Sequence, residues 1–506
     1  MPASAYDRMA HLLRRAGFGA RPDEINGIYL NQGFEATVDQ LVNYENVTED
    51  PSIPAVPTKS DGTTDITSMG LDDLASWWLN RMIKTKRPLQ EKMVLFWHDH
   101  FATSYDKIGN PKYMYWQNQL VRDNATGDLR TLLKSINRDP SMLIWLDSIL
   151  NTKNSPNENY GRELMELFSI GFENFQQGAY TEADVQQAAR AFTGWGLLRN
   201  GDNGTTASPN GPVTDPAGVV DIPPKTSPSP LPSPVPRSIT NHDFNNKTVF
   251  GQVSNFNGDD IVDLILDHEP QRTFAAKFIG KKLFEYFAYE DPEPEVIAHL
   301  ATVALRTNFN IKAILRDLFL NTKAFYSDKA IKGAITWPTH FLVGSARLLQ
   351  ASINTRNLNN TLRGMGQWLF FPPDVSGWPG GTDWISTSQT LARANWANSF
   401  ATNRSTTAGN TGIPMDAVLA LGGFGTGAGL NANPTADQVV DYFTSLLVQS
   451  PLAPVVRQGL IDYMKKADNG TIGTFSLTTD RGSGNSYKKV RGMIHLLLVR
   501  PERQNM

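Results

Sequence analysis

Apolar residues recur at three- and four-residue spacing through most of this chain, which lays one apolar stripe along each segment if that segment is helical. The pattern covers Met9–Ala16, Gly33–Leu41, Leu71–Lys84, Gln90–Phe101, Leu129–Ile136 and Gly161–Gly171. It resumes at Gly258–Asp267, Gln271–Tyr286, Glu293–Thr307, Ile311–Leu320, Trp337–Leu349, Ala436–Gln449 and Leu452–Lys465. Two-residue alternation is scarce. The expected fold class is mainly α: a large multi-helix globular array, compatible with a toroid-like closure, with long Pro/Gly-rich loops and little β.

Breaks in the pattern set the organisation. Ten of the chain's 31 prolines fall between Pro209 and Pro236. Proline has no amide donor and fixes φ, so this stretch reads as a long exposed loop with polyproline II character, a passive linker by composition. The Gly/Asn/Thr-rich stretch Thr402–Asn433 reads as a second insertion, and Asp468–Lys488 as a β-hairpin or loop. Residues 1–200 form a helical part carrying a polar motif helix, 201–240 the proline-rich loop, 241–400 a second helical part ending in a Trp/Gly/Pro loop, and 401–506 the Gly-rich insertion and last helices. All are read as one integrated domain.

Composition removes several functions. With 47 Lys and Arg against 50 Asp and Glu, the net charge of −3 argues against nucleic acid or an anionic membrane as the main partner. No apolar run reaches the ~18 residues of a membrane span. Cysteine is absent, which excludes disulfides, thiolate metal sites and a cysteine nucleophile. No Walker or dinucleotide glycine signature and no serine-hydrolase elbow is present. The start, Met1 to Asp7, lacks a signal-peptide pattern. That implies a cytoplasmic protein, or a periplasmic or extracellular one whose export signal has been removed.

Five segments carry candidate chemistry. Ser155-Pro156-Asn157-Glu158 has the form of a capping box, so a helix is expected from near Pro156 to Gly171. On it Glu158, Asn159, Arg162, Glu163 and Glu166 share an arc of ~140°, opposite Tyr160, Leu164, Leu167 and Phe168. The stripe is either a solvated face laced by ion pairs such as Glu158–Arg162, or the wall of a site in which stacked carboxylates raise one another's pKa. In Phe96-Trp97-His98-Asp99-His100-Phe101, the two histidines can share a metal only if the backbone is extended; on a helix they point ~200° apart. His100 then turns into the core with Met93, Phe96 and Trp97 and His98 faces a site, or else the helix ends at Asp99. Thr181 and Asp184 cap a further helix whose buried stripe is Val185, Ala188, Ala189 and Phe192, with Arg190 off that stripe and Trp195 closing it. His242-Asp243 is either a ligand pair, an acid–base unit or a turn. In Phe371–Gly381 the prolines and glycines demand defined turns, and Trp378 and Trp384 suit stacking on a sugar or packing on the core.

These segments together resemble the bacterial family known as domain of unknown function 1800. The matching stretches are Leu12–Gly19, Phe96–Ala102, Asp139–Leu143, Pro156–Phe168, Tyr180–Val185, Ala191–Trp195, His242-Asp243, Lys247, Gly366-Gln367, Pro372–Val375, Gly377–Gly381 and Pro501-Glu502, nearly the whole chain. The resemblance implies a mostly helical bacterial protein, often exported, often paired with a sulfatase-like companion, and it transfers no catalytic residue. Asp99 stands where the family often has asparagine.

The expected function is an enzyme, a lyase or hydrolase, acting on a polysaccharide or glycoconjugate. Glu163, Glu166, His98, Tyr160 and Arg162 would be catalytic, and Asn159, Trp195, Asp374, Trp378, Trp384 and Arg190 would bind substrate. An alternative is a metal-dependent oxidase or hydrolase, with a divalent metal on His98, His100, His242 and Asp243. A second alternative is a non-catalytic surface or assembly protein that uses the polar stripe as a partner face. The enzyme reading expects Glu163, His98, His242 and Asp374 to converge within ~12 Å.

Overall fold

The computed structural model describes residues 4–59, 64, 69–197, 220–227, 229, 237–331, 333–402, 412–425, 427–466, 470–477 and 485–505. Of the protein, 61% is helical and 5% is in strands, the mainly α class that the spacing predicts. Most of the proline-rich stretch, and parts of the two other expected loops, lie outside the described residues.

The helices start where short polar side chains satisfy free backbone amides. α1 (Ala5–Arg15) opens on a capping box between Ser4 and Asp7. α2 (Leu71–Lys84) has the predicted bounds. α3 (Pro88–His100) is central: 11 of its 13 residues are buried. Its Glu91 is neutralised there by Arg122 of α4 (Pro111–Asp123) at 2.8 Å and accepts from the Trp78 indole at 3.0 Å. The spacing analysis missed α4. Nine of its 13 residues are buried, on every side, so no single apolar stripe marks it.

α5 (Leu129–Asn137) is capped by Asp128. α6 (Asn159–Glu163) runs on into π-helical turns, Leu164–Ser169, and ends before Gly171. α7 (Glu182–Ala191) carries the predicted Thr181–Asp184 box and buries Val185, Ala188, Ala189 and Phe192. Among the described residues the strands form two antiparallel pairs: β1 (Gly196–Leu197) with β2 (Val220–Asp221), and β3 (Lys247–Val249) with β4 (Gln252–Ser254).

α8 (Gly258–Asp267), α9 (Gln271–Phe287) and α10 (Pro338–Leu348) follow the expected bounds to within a residue. α11 (Thr387–Thr402) was also unpredicted, because serine, threonine and asparagine interrupt its apolar positions. α12 (Ala436–Leu447) and α13 (Asn485–Leu498) follow, and a short last turn, Pro501–Gln504, comes after them. Two hydrophobic clusters result. The larger gathers residues from Met9 to Trp384, and the smaller joins α10 to α11, α12 and α13. α10 serves both, giving Leu342 and Val343 to the first and Phe341 and Leu348 to the second.

Candidate functional site

The motif helix starts later than its sequence suggests. Ser155 is held in a bridge to Thr152 and caps nothing. Asn157 does the work instead: its amide donates to Asn151 Oδ1 and its own Oδ1 accepts from the Asn159 amide, both at 2.9 Å. α6 therefore begins at Asn159. Gly161 lets it press onto α7, since a Cβ there would meet the Ala189 amide at 3.3 Å and the Ala188 methyl at 3.4 Å.

Arg162 is neutralised outright. Its guanidinium reaches Glu182 at 2.7 Å, Glu158 at 3.0 Å and Glu166 at 3.3 Å. The ion-paired reading of the stripe is correct for Glu158, Arg162 and Glu166, with Glu182 of α7 as a further partner.

Glu163, the next residue, has a different fate. It is half-buried and, among the described residues, accepts no hydrogen bond and forms no ion pair within 4 Å. Burial, the Glu166 charge and the Asp374 charge push its carboxyl up to about 7, against a smaller pull from Arg162. Asp374 is exposed and sits in a tight turn, accepting from the Ser376 amide at 2.8 Å and hydroxyl at 2.5 Å.

The Asp374 loop is fixed from beneath by Asp99, at the end of α3. Asp99 Oδ1 accepts from the Trp378 amide at 2.7 Å. Gly377, at φ 93°, passes so close that a Cβ would lie 2.7 Å from the Asp99 carbonyl oxygen. Burial pushes the Asp99 carboxyl up to about 7, against the Trp378 hydrogen bond and the Lys282 charge. Neither Asp99 nor Lys282 was singled out for the site. The signal was the meeting of His98-Asp99-His100 with the Gly377 loop, which one sequence does not reveal.

Several expected site residues belong to the interior. His98 is ringed by Trp78, Phe370 and Trp378 at 5.1–5.4 Å, and its Nε2 accepts from the Phe370 amide at 3.2 Å. Burial lowers it to about 3, so it is neutral and committed. His100 pairs its Nε2 with the Phe168 carbonyl at 3.1 Å. Because α3 stays helical through His100, the two imidazoles diverge. Tyr160 is 3% exposed and donates to Asn137 Oδ1. Trp378, Trp195 and Trp384 are 6%, 2% and 1% exposed, so they pack on the core and offer no open sugar platform. Asn159 stays exposed at the start of α6.

A second cluster lies at the far end of α7. Arg190 pairs with Asp243 at 2.7 Å. His242 Nδ1 bonds the Thr193 carbonyl at 2.6 Å. Lys247 donates to the Asp243 carbonyl and to Asn255 Oδ1. Arg162 binds Glu182, the first residue of this helix, and Asp243 binds Arg190, eight residues on, so the two anchor points are about 12 Å apart along it. The Asp374 charge thus acts on Glu163, His98 packs on Trp378 of the Asp374 loop, and His242 belongs to the second cluster. Among the described residues no three His, Asp or Glu side chains stand close enough to share one metal ion.

The family model described as "Protein of unknown function (DUF1800)" matches residues 11–505. The chain belongs to this family. No curated protein and no solved structure matches it. The DUF1800 match takes in both the Glu163 and the Arg190 clusters. No helix among the described residues is long and apolar enough to cross a membrane.

Proposed function

We propose that this DUF1800 protein is a carbohydrate-active enzyme, a lyase or hydrolase of a polysaccharide or glycoconjugate, in which Glu163 is the proton donor and Asp374 its carboxylate partner. One observation carries the reading: a half-buried glutamate without a cation or hydrogen-bond donor of its own, facing two other carboxylates. Such a group keeps its proton near neutral pH, the state a general acid needs to protonate a leaving oxygen. The exposed carboxylate of Asp374 supplies the complementary negative charge. Two carboxyl groups in unequal environments are the arrangement that glycosidic bond cleavage uses, with their separation setting the stereochemical outcome. Arg162, occupied by three carboxylates, shapes the field at Glu163 and is not available to substrate. The sulfatase-like companion belongs to the same proposal, as a second enzyme working on the same glycan.

The test is turnover on a panel of neutral, uronate-containing and sulfated polysaccharides, read as new reducing or unsaturated ends. Wild type should cleave at least one of them. Glu163→Gln, which keeps the shape and loses the acidic proton, should remain folded by circular dichroism and lose ~10²–10⁴ of the rate. A panel untouched by wild type, or cleaved equally by the variant, would sink the proposal.

A further inference from the structure

The Leu12–Gly19 and Pro501-Glu502 motifs take no part in the Glu163 site, yet they meet inside the protein around a group of buried cations. Lys92 of α3 is 1% exposed, Arg393 of α11 is 2% and Arg503 is 6%. Arg14 of α1 lies beside them. Phe18 and Phe341 are the hubs. The Lys92 ammonium stands 5.3 Å from the Phe18 ring centroid, and the His340 ring meets the same ring in a T-shaped contact at 5.9 Å. A Cβ on Gly344 would lie 3.0 Å from the Phe18 carbonyl and 3.5 Å from Arg503 Nη2. Arg393 and Arg503 both approach Phe341, at 5.5 and 5.6 Å.

These cations have neutral partners only. Arg14 donates to Gln449 Oε1 at 2.9 Å and Arg503 to Ser345 Oγ at 3.1 Å. Arg393 donates to Gln504 Oε1 and the Thr336 carbonyl. Among the described residues the Lys92 ammonium makes no hydrogen bond, and none of the four forms an ion pair within 4 Å. The Nε atoms of Arg14, Arg393 and Arg503 and the Nδ1 of His340 are buried without partners. The acidic groups near the cluster are Asp7, felt by Arg14, and Tyr286, whose hydroxyl donates to the Lys92 carbonyl and which feels Asp99. Glu502 turns away to Arg500 at 2.8 Å. Burial holds Arg14 down to about 10 against the Asp7 charge; burial with the Arg14 and Arg393 charges holds Arg503 down to about 10; and burial with the Arg15 and Arg14 charges holds Lys92 well below its usual range.

An interior that gathers like charges without a counter-charge is costly unless an anion joins them. Guanidinium edges with unused N–H groups match the oxygens of a tetrahedral anion, and an ammonium adds a point charge. We propose that Arg14, Lys92 and Arg503 hold one small inorganic oxyanion, sulfate or phosphate, which ties the first helix of the chain to its last turn.

This site is independent of Glu163, and its test reads binding rather than turnover. Full-length protein, purified without sulfate or phosphate, is denatured and its released ions are measured by ion chromatography, which captures an anion carried from the cell and tells sulfate from phosphate. Equilibrium dialysis with labelled sulfate, competed by phosphate, then measures the emptied site. The proposal predicts about one oxyanion per chain, carried or rebound, and at least a tenfold weaker affinity in Lys92→Met. Arg503→Gln, which keeps a donor for Ser345, is the second variant should the first not fold, and should weaken binding as much. No released ion together with no saturable sulfate binding would overturn the site, as a lysine that simply sheds its proton would produce. Binding equal to wild type in the folded variants would overturn it too.

Discussion

Arg162 and Glu163 are neighbours in the chain and end in opposite electrostatic states. Arg162 is answered three times over, by Glu158, Glu166 and Glu182. The Arg190–Asp243 pair repeats this balance at the other end of α7. Around Glu163 nothing answers: burial and two carboxylates act on it together. One polar stripe therefore holds both an ion-paired scaffold and a carboxyl kept in its acid form. Residue type does not separate them; the presence or absence of a partner does.

The largest effect should come from removing the unanswered carboxyl. Glu163→Gln should cost ~10²–10⁴ in rate, while wild-type turnover stays level below about pH 7 and falls tenfold per unit above it, as the required proton is lost. A rate rising through pH 7 would reverse the roles of acid and base and break the comparison.

Asp99→Asn comes next. The folded Asp99 carboxyl titrates at about 7, above its ordinary 3.8, so its contribution is fully present below about pH 4 and is lost as pH climbs toward 7. Asparagine keeps the acceptor for the Trp378 amide without the charge, so the unfolding free energy of the variant from urea titration should exceed wild type by ~2–4 kcal/mol at pH 8 and match it at pH 4. Equal differences at both pH values would show that Asp99 is not protonated in the fold.

Gly377→Ala should destabilise by ~2–3 kcal/mol, since the positive φ and the approach to Asp99 leave no place for a methyl group. The thermal midpoint measures this, and an unchanged value would mean the loop is not pinned as described. The smallest effect is Arg162→Ala. Its partners are partly exposed and screened, so the stability cost should be ~1 kcal/mol or less. The same change should push Glu163 further up, carrying the alkaline fall in rate to higher pH, because Arg162 is the cation that lowers it.

Most of the fold was legible because helix spacing reports burial directly. α2, α8 and α7's cap and buried stripe appear where the spacing puts them. The longer helices that were missed lack a stripe to read: α4 is buried on all sides and α11 is interrupted by polar residues; short helices were missed too, including Met415–Leu421 inside the expected Thr402–Asn433 insertion. The site was less legible. Glu163 and Asp374 could be named from carboxylates in a patterned helix and a turn-rich loop. That His98 and Tyr160 would be bound up in the core, and that Asp99 would hold the Trp378 loop, depended on contacts between segments more than 250 residues apart for His98 and Asp99. Ser155 shows the local version of this limit, since its capping pattern was complete and Asn157 took the position through a bond to Asn151.

The protonation of Glu163 can be measured without any substrate. The infrared difference spectrum between wild type and Glu163→Gln, recorded across pH, isolates the carbonyl stretch of that one carboxylic acid. A band that titrates with a midpoint near 7 is the predicted result. A midpoint at the ordinary glutamate value of 4.5 would mean that the carboxyl is solvated or paired after all, and the acid role assigned to it would fall.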